Sequence, residues 1–347
     1  MLSGAILVVG QCSWDSGCDS ANNGYESTPI LGGSPIASVE LLGRSVLDRT
    51  IQALRLVGTE LITVIASEAV SSALAKLANG SARVRLLPPT MDLMPTAEDI
   101  AREYVDQGVE NILLGRVGPY AEINFADLLQ CHRERTNGLT SVTSSRGELD
   151  LLVIDADRVV KNREAGRRGL SDIGSFSSGV SYSVPGYVNF LHTARDLRRF
   201  VSDAFLGRCA VRPSGEEVRP GVWFGQGVHV HRDARVVAPA YVGCGTTIRA
   251  GAFITQCSVL ERDCEVAEGT LIENSVVLSN SFVGKGLSVS HAVVNGNKLV
   301  PLRRNVLVEV EDRHLLGRVL PVKTQRFGSE PSAELSLAER LLATAWS

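Results

Sequence analysis

Residues 222–284 read VWFGQGVHVHRDARVVAPAYVGCGTTIRAGAFITQCSVLERDCEVAEGTLIENSVVLSNSFVG. Steps of six from Phe224 land on Val230, Val236, Val242, Ile248, Ile254, Leu260, Val266, Ile272 and Leu278, all large and apolar. Two places before each runs a second series, from Val222 and Val228 through Ala234, Ala240, Thr246, Ala252, Ser258, Cys264 and Thr270 to Val276, whose central members are all small. Ordinary short strands alternate with period two and carry irregular turns. A fixed longer period is the mark of a repeat architecture. Period six, with one large and one small residue per unit, predicts a parallel β-helix of triangular coils. Each short strand points its aliphatic residue into the prism, and the small residue fits near a corner. Three strands of about six residues close one coil, so the stretch holds a little over three coils.

This ladder resembles the hexapeptide-repeat, left-handed β-helix family. That family includes sugar and amino-acid acyltransferases and the C-terminal domains of many sugar-nucleotide pyrophosphorylases. The left hand is implied by the resemblance; the period does not show it.

The chain of 347 residues is long enough for two domains with their own cores. Its apolar content and net charge of −3 are those of a soluble globular protein. They give no electrostatic case for nucleic acid or an anionic membrane as partner. Cysteines stand at 12, 18, 131, 209, 244, 257 and 264, with no C-x-x-C pair, and no His cluster completes a zinc site. No metal site is expected, and the thiols point to a reducing, cytoplasmic setting. The first apolar run, Ala5–Val9, lacks a basic flank and a cleavage pattern and is too short for a membrane span. It reads as a buried strand, and no membrane insertion is expected.

Residues 1–205 alternate strand and helix signals. A polar loop, 11–34, follows the first strand. Helical spacing predicts a helix over Ser45–Val57, and strands are expected at Leu61–Ala66, Arg83–Leu87, Asn111–Leu114, Leu139–Thr143 and Leu151–Ile154. Further helices are predicted over Glu68–Ala78, from Thr96 to Gln107 with Thr96 at its start, over Asn124–Arg135 with Asn124 as cap, and over Thr193–Phe205. Such alternation implies a Rossmann-like α/β domain with a mostly parallel sheet covered on both faces. The expected organisation is an α/β domain over 1–206, a Gly- and Pro-rich linker over 207–221, a β-helix over 222–300, and a C-terminal strand and capping helix over 301–347. Regularity of the repeat is expected to lapse near Gly284–Gly286. Trp223 reads as packing at the domain junction. Arg195, Arg198 and Arg199 on one helix, and the pair Arg303–Arg304, read as solvated faces.

The order of domains, and several segments, resemble the sugar-1-phosphate nucleotidyltransferases, the NDP-sugar pyrophosphorylases. The segments are PIASVELLGRSVLDRTIQA (Pro35–Ala53), the strand, turn and helix of Asn111–Glu134, GYVNFLHTAR (Gly186–Arg195) and GEEVRPGVWFG (Gly215–Gly225). The resemblance implies a nucleotide-diphospho-sugar transferase-like α/β domain followed by a left-handed β-helix. It also implies a nucleotide or sugar cleft at Gly10, Thr96, Ala97, Gly115, Arg116 and Asn189. Yet the motifs that carry the family's chemistry are altered. The phosphate loop G-G-x-G-T-R is replaced by GQCSWDSGCDSANNG after Val9, and the signature Lys is missing from PIASVELLG, where the nearest cation is Arg44. In the nucleotide-reading stretch Pro95 stands where the family has Gly, ahead of Thr96 and Ala97. The first metal Asp corresponds to Arg116, which offers no lone pair. The second corresponds to Asn189, a poor neutral ligand for Mg²⁺.

The expected function is therefore a catalytically degenerate homologue, regulatory or scaffolding, in sugar-nucleotide or surface-polysaccharide metabolism, still able to take a nucleotide sugar or sugar phosphate. No catalytic residue and no cofactor is assigned. Mg²⁺ enters only under the alternative of an active nucleotidyltransferase with atypical ligands. A third reading is a β-helix acyltransferase, for which His291 is the candidate base ahead of His229 and His231, although no protruding loop interrupts the hexads. Prism-shaped β-helices pack against one another, so a homo-oligomer, or a hetero-assembly with an active relative, is expected.

Overall fold

A computed structural model describes residues 2–9, 29–68, 82–88, 93–135, 138–159 and 180–319. Seven strands form the main sheet of the N-terminal part: β1 (Leu2–Val9), β2 (Leu61–Ser67), β3 (Arg83–Leu87), β4 (Val109–Arg116), β5 (Leu139–Ser144), β6 (Gly147–Asp155) and β7 (Val180–Ser183). Their order is β7-β5-β6-β4-β1-β2-β3. Pairings within β4-β1-β2-β3 are parallel, β6 runs antiparallel between β4 and β5, and β7 lies parallel to β5. The continuous apolar run of β1 follows from this position: both its faces are covered. Ala5, Leu7 and Val9 face one core, with helices α1 (Val46–Leu56), α3 (Phe125–Arg133) and α4 (Ala194–Phe205). Ile6 and Val8 face the other, with α2 (Leu93–Asp106).

The caps explain where helices start. Ser45 and Asp48 form a capping box at α1, Thr193 and Asp196 another at α4, and Asn124 accepts from the Asp127 amide at α3. Helix α2 starts at Leu93, three residues before the expected Thr96. Pro95 is compatible with that start, because the first turn of a helix has no use for its missing N–H. The predicted helix over Glu68–Ala78 and the capping helix of the C-terminal segment lie outside the described residues.

The second part is a parallel β-helix with three faces. Its strands stack as three parallel ladders beginning at Val222–Phe224, His229–Val230 and Arg235–Val236. Val236, Val242, Ile248, Ile254, Leu260, Val266 and Ile272 fill the interior as the period requires. Small residues fit inside near the corners, and the polar ones among them donate to the next coil: Thr246 Oγ1 to the Glu261 carbonyl at 2.7 Å, Cys264 Sγ to that of Leu278 at 3.2 Å. The next inward residue after Ile272 is Val277, where the six-residue count expects Leu278. Leu278 packs in the other core, against the α/β part. The reason lies at a corner. Gln256 and Cys257 both take positive φ there, whereas the coil above turns on Asn274 alone at φ 46° and the next on His291 at φ 53°. One residue is deleted, and the later coils step by seventeen: Val259 pairs with Val276, which in turn pairs with Val293. The ladder does not lapse at Gly284–Gly286. Val283, Val289 and Val294 carry it on, until the hairpin Ala292–Asn295/Lys298–Pro301 and the antiparallel strand Leu316–Arg318 close the prism. Within the expected linker, Glu216–Arg219 forms a strand antiparallel to Val222–Phe224.

One face of the prism is buried against the α/β part. Tyr241, Val259, Val276 and Val293 stack along it within the core shared with α1 and α4, and Trp223 is packed at its edge. Polar contacts cross the same junction: Arg262 pairs with Glu40 at 3.0 Å, and Asn295 Nδ2 donates to the Ile30 carbonyl at 2.9 Å.

Candidate functional site

The C-terminal ends of β1 and β4 open on a cavity of about 160 Å³, lined by Leu7, Gly115, Arg116, Tyr120, Asp150 and Arg49 among others. Ligands of α/β sheets bind outside the carboxyl ends of the strands. A Cβ at Gly115 would stand 2.4 Å from Leu151 Cδ1, so the glycine lets the Leu151 side chain lie close against the strand where it lines the cavity.

Arg116 occupies the end of β4 and is nearly buried. Its Nε donates to Asp150 Oδ2 at 2.8 Å, and its Nη2 donates to the same oxygen. Asp150 lies on β6, one residue beyond the Gly115–Leu151 pair. The Asp150 carboxylate, which lines the cavity, is thus committed to a guanidinium. Among the described residues no group of three or more His, Cys, Asp and Glu side chains is arranged to hold a metal ion.

Asn189 is buried, in a short strand antiparallel to Tyr120–Ala121. Its Nδ2 donates to Tyr187 Oη at 3.2 Å and to the Asp196 carbonyl at 3.1 Å, while its Oδ1 accepts from the Leu191 amide at 3.0 Å. The side chain holds the turn into α4 in the manner of an Asx-turn. It does not line the Arg116 cavity. Thr96 and Ala97 lie within α2, and Ala97 packs on the core that faces Ile6 and Val8, across the sheet from Leu7. Gly10 lies outside the described residues. Of the residues expected in one cleft, the structure brings together Gly115 and Arg116.

Two groups in the cavity are not among the residues expected from the sequence. Asp150 becomes Arg116's partner only through the antiparallel pairing of β4 with β6. Arg49, and not Arg44, is the cation supplied by α1. Arg44 is exposed and donates to Gln52 Oε1 at 2.5 Å. Arg49 donates from Nη2 to the Leu41 carbonyl at 2.9 Å, and its buried Nε has no hydrogen-bond partner among the described residues. Burial lowers its pKa, and Tyr120, whose own pKa burial and Glu122 raise, acts against that. Helical spacing could have found it, since Arg49, Thr50 and Ala53 share the flank of α1 that lines the cavity.

His291 sits at a prism corner, its Nδ1 hydrogen-bonded to Asn274 Nδ2. With Asn274 it lines a second, larger groove against α4, which also contains Arg195, Arg198 and Arg199. Arg198 is not a solvated surface residue: it is 8% exposed. His229 and His231 are exposed on the first coil. No helix among the described residues is long and apolar enough to cross a membrane.

Residues 226–314 match the family model described as GlmU-like, C-terminal hexapeptide. A UTP–glucose-1-phosphate uridylyltransferase of Synechocystis sp. is 33% identical over 91 residues, 26% of this chain and 24% of that protein. The match therefore spans about a quarter of the length of the curated relative. By the family model and this relative, the chain is similar to nucleotidyltransferases that carry a C-terminal hexapeptide region.

Proposed function

We propose that the chain is a nucleotidyltransferase-like protein of sugar-nucleotide or surface-polysaccharide metabolism that keeps the architecture without the metal-dependent pyrophosphorylase chemistry. It acts as a regulatory or scaffolding subunit and still takes a nucleotide sugar or sugar phosphate at the Arg116 cavity. The observation that carries this reading is the Arg116–Asp150 pair. Transfer of a nucleotidyl group needs the charge of the triphosphate neutralised, which Mg²⁺ does through hard oxygen ligands. Here a guanidinium stands at the end of β4, and it draws the neighbouring carboxylate to itself. The one oxygen of Asn189 is occupied by the Leu191 amide. Arg116 and Arg49 suit an anion better than a cation.

The prism buries one face against the α/β part and leaves two faces for assembly, with Phe253 and Val237 exposed along them. Through these the chain forms a homo-oligomer or joins an active relative. Free thiols at Cys131, Cys209, Cys244, Cys257 and Cys264 support a cytoplasmic setting.

The test is to incubate the protein with Mg²⁺, a panel of nucleoside triphosphates and sugar 1-phosphates, and to assay pyrophosphate. Turnover near the usual enzymatic scale of about 1 s⁻¹ or faster would overturn the reading. Thermal stabilisation by an NDP-sugar without turnover supports it, and light scattering on the eluted protein reports the assembly.

A further inference from the structure

The groove between α4 and the corner built by Asn274 and His291 measures about 480 Å³, within the roughly 300–1,000 Å³ of small-molecule sites. It is lined by five arginines, Arg195, Arg198, Arg199, Arg208 and Arg303, and one acid, Asp203. Asp203 is already shared: Arg199 approaches it at 3.6 Å, Arg208 at 3.4 Å, and Tyr187 Oη donates to it at 2.8 Å. The other three cations have no carboxylate partner among the described residues. Arg195 donates to main-chain carbonyls, from Nε to Leu302 at 2.8 Å and from Nη2 to Arg303 at 3.2 Å.

Arg198 stands at the floor. Nine-tenths buried, it donates from Nε and Nη2 to Asn274, a neutral acceptor, and its Nη1 has no hydrogen-bond partner among the described residues. The Cys257 thiol also acts on it, through charge and through a side-chain hydrogen bond. A buried guanidinium without a counter-anion is costly unless something else supplies the charge. Three unneutralised arginines, drawn from α4 and from the loop after Pro301, converge on a recess whose own carboxylate is used up.

We propose that this groove is an oxyanion site that takes a phosphate group, free or as the end of a phosphorylated metabolite, and ties α4 to the β-helix corner. Planar guanidinium forks match tetrahedral oxyanions, which explains arginine in place of lysine at all five positions. A bound phosphate would bridge Arg195 and Arg198 of α4 to Arg303 beyond the prism and so stiffen the junction between the two parts. The site is separate from the Arg116 cavity and does not depend on how that cavity is read.

The experiment is calorimetric titration of the full chain with sodium phosphate and with glucose 1-phosphate, each at constant ionic strength set by chloride, beside the double variant Arg195→Gln/Arg303→Gln. Both substituted side chains are exposed, so the fold is kept. Saturable binding of either probe is expected, weakened by about tenfold or more in the variant as charge-assisted hydrogen bonds are lost. Of the binding that the variant weakens, a tighter component for glucose 1-phosphate than for phosphate identifies a phosphorylated metabolite as the source; an equal or weaker one identifies free phosphate. Absence of saturable binding for both probes overturns the proposal. So does binding that the double variant leaves unchanged, which would place the anion elsewhere.

Discussion

Glu261, fully buried on the prism face, accepts a hydrogen bond from the Leu42 amide at 2.6 Å, across 219 residues of sequence. Its second oxygen accepts from the Gly43 amide at 3.0 Å. One carboxylate thereby satisfies two adjacent amides of a tight turn on the other part of the chain, which is why an acid is tolerated at a site with no exposure.

That burial sets a pH dependence. Desolvation pushes the Glu261 pKa up to about 8, while the Leu42 and Gly43 amides pull it down. The folded value lies above the ordinary 4.5, so between about pH 4.5 and 8 the folded chain holds a proton that the unfolded chain has released. Stability is full below this window and falls as pH rises through it. Glu261→Gln should flatten the slope between pH 5 and 8 by a few kcal/mol, on the scale of about 1.4 kcal/mol for each tenfold change in proton affinity, as read from urea denaturation. An unchanged slope contradicts the assignment.

Gly43 is irreplaceable for two reasons that can be separated. Its φ is +81°, and a Cβ would fall 2.2 Å from Tyr241 Oη, which is buried without a partner among the described residues. Gly33 has φ +90° with open space around it. Gly33→Ala should cost about 1 kcal/mol from backbone strain alone, and Gly43→Ala roughly 2–4 kcal/mol because overpacking adds to strain. Equal losses in chemical denaturation would show that the junction yields to accommodate the methyl group.

The Arg116–Asp150 pair should be asymmetric. Arg116 is 5% exposed at its side chain and Asp150 23%, so Asp150 can turn to water when its partner is lost and Arg116 cannot. Asp150→Ala is expected to cost roughly 2–4 kcal/mol, and Arg116→Met about 1 kcal/mol. Comparable losses for the two would mean that the pair shares its burial more evenly than the geometry indicates.

His132 gives the opposite pH slope to Glu261. It is buried between Thr140, 2.8 Å from Nδ1, and Asp155, 2.9 Å from Nε2. Burial lowers its pKa below 6.5, against the pull of Asp155. The unfolded chain therefore takes up the proton first as pH drops, and stability present above about pH 6.5 is lost below it. In Glu261→Gln, where the larger effect is removed, the melting temperature should fall between pH 7 and 5.5. Adding His132→Gln should abolish that fall and cost about 1–3 kcal/mol at pH 7 through the lost buried hydrogen bonds. Persistence of the fall in the double variant assigns the titration to another group.

The one-dimensional pattern decided much of this protein. The inward aliphatics from Val236 to Ile272, the small residues between them and the capped helices α1, α3 and α4 obey local rules of period and end chemistry, so they are legible without any fold. Local rules fail where one residue is dropped: counting by six past Ile272 puts Leu278 in the prism, and only stacking on the coil below shows that Asn274 does the work of Gln256 and Cys257 and that Val277 points inward. The site was legible in part for the same reason. Gly115 and Arg116 are neighbours in sequence and stay together in space. Asp150 reaches Arg116 through an antiparallel strand pairing, Asn189 is used up by groups around its own turn, and Arg198 is buried by a corner of the prism 76 residues away. Burial and partnership of charges depend on which distant surfaces meet, and that is decided by packing between the two parts rather than by spacing along the chain.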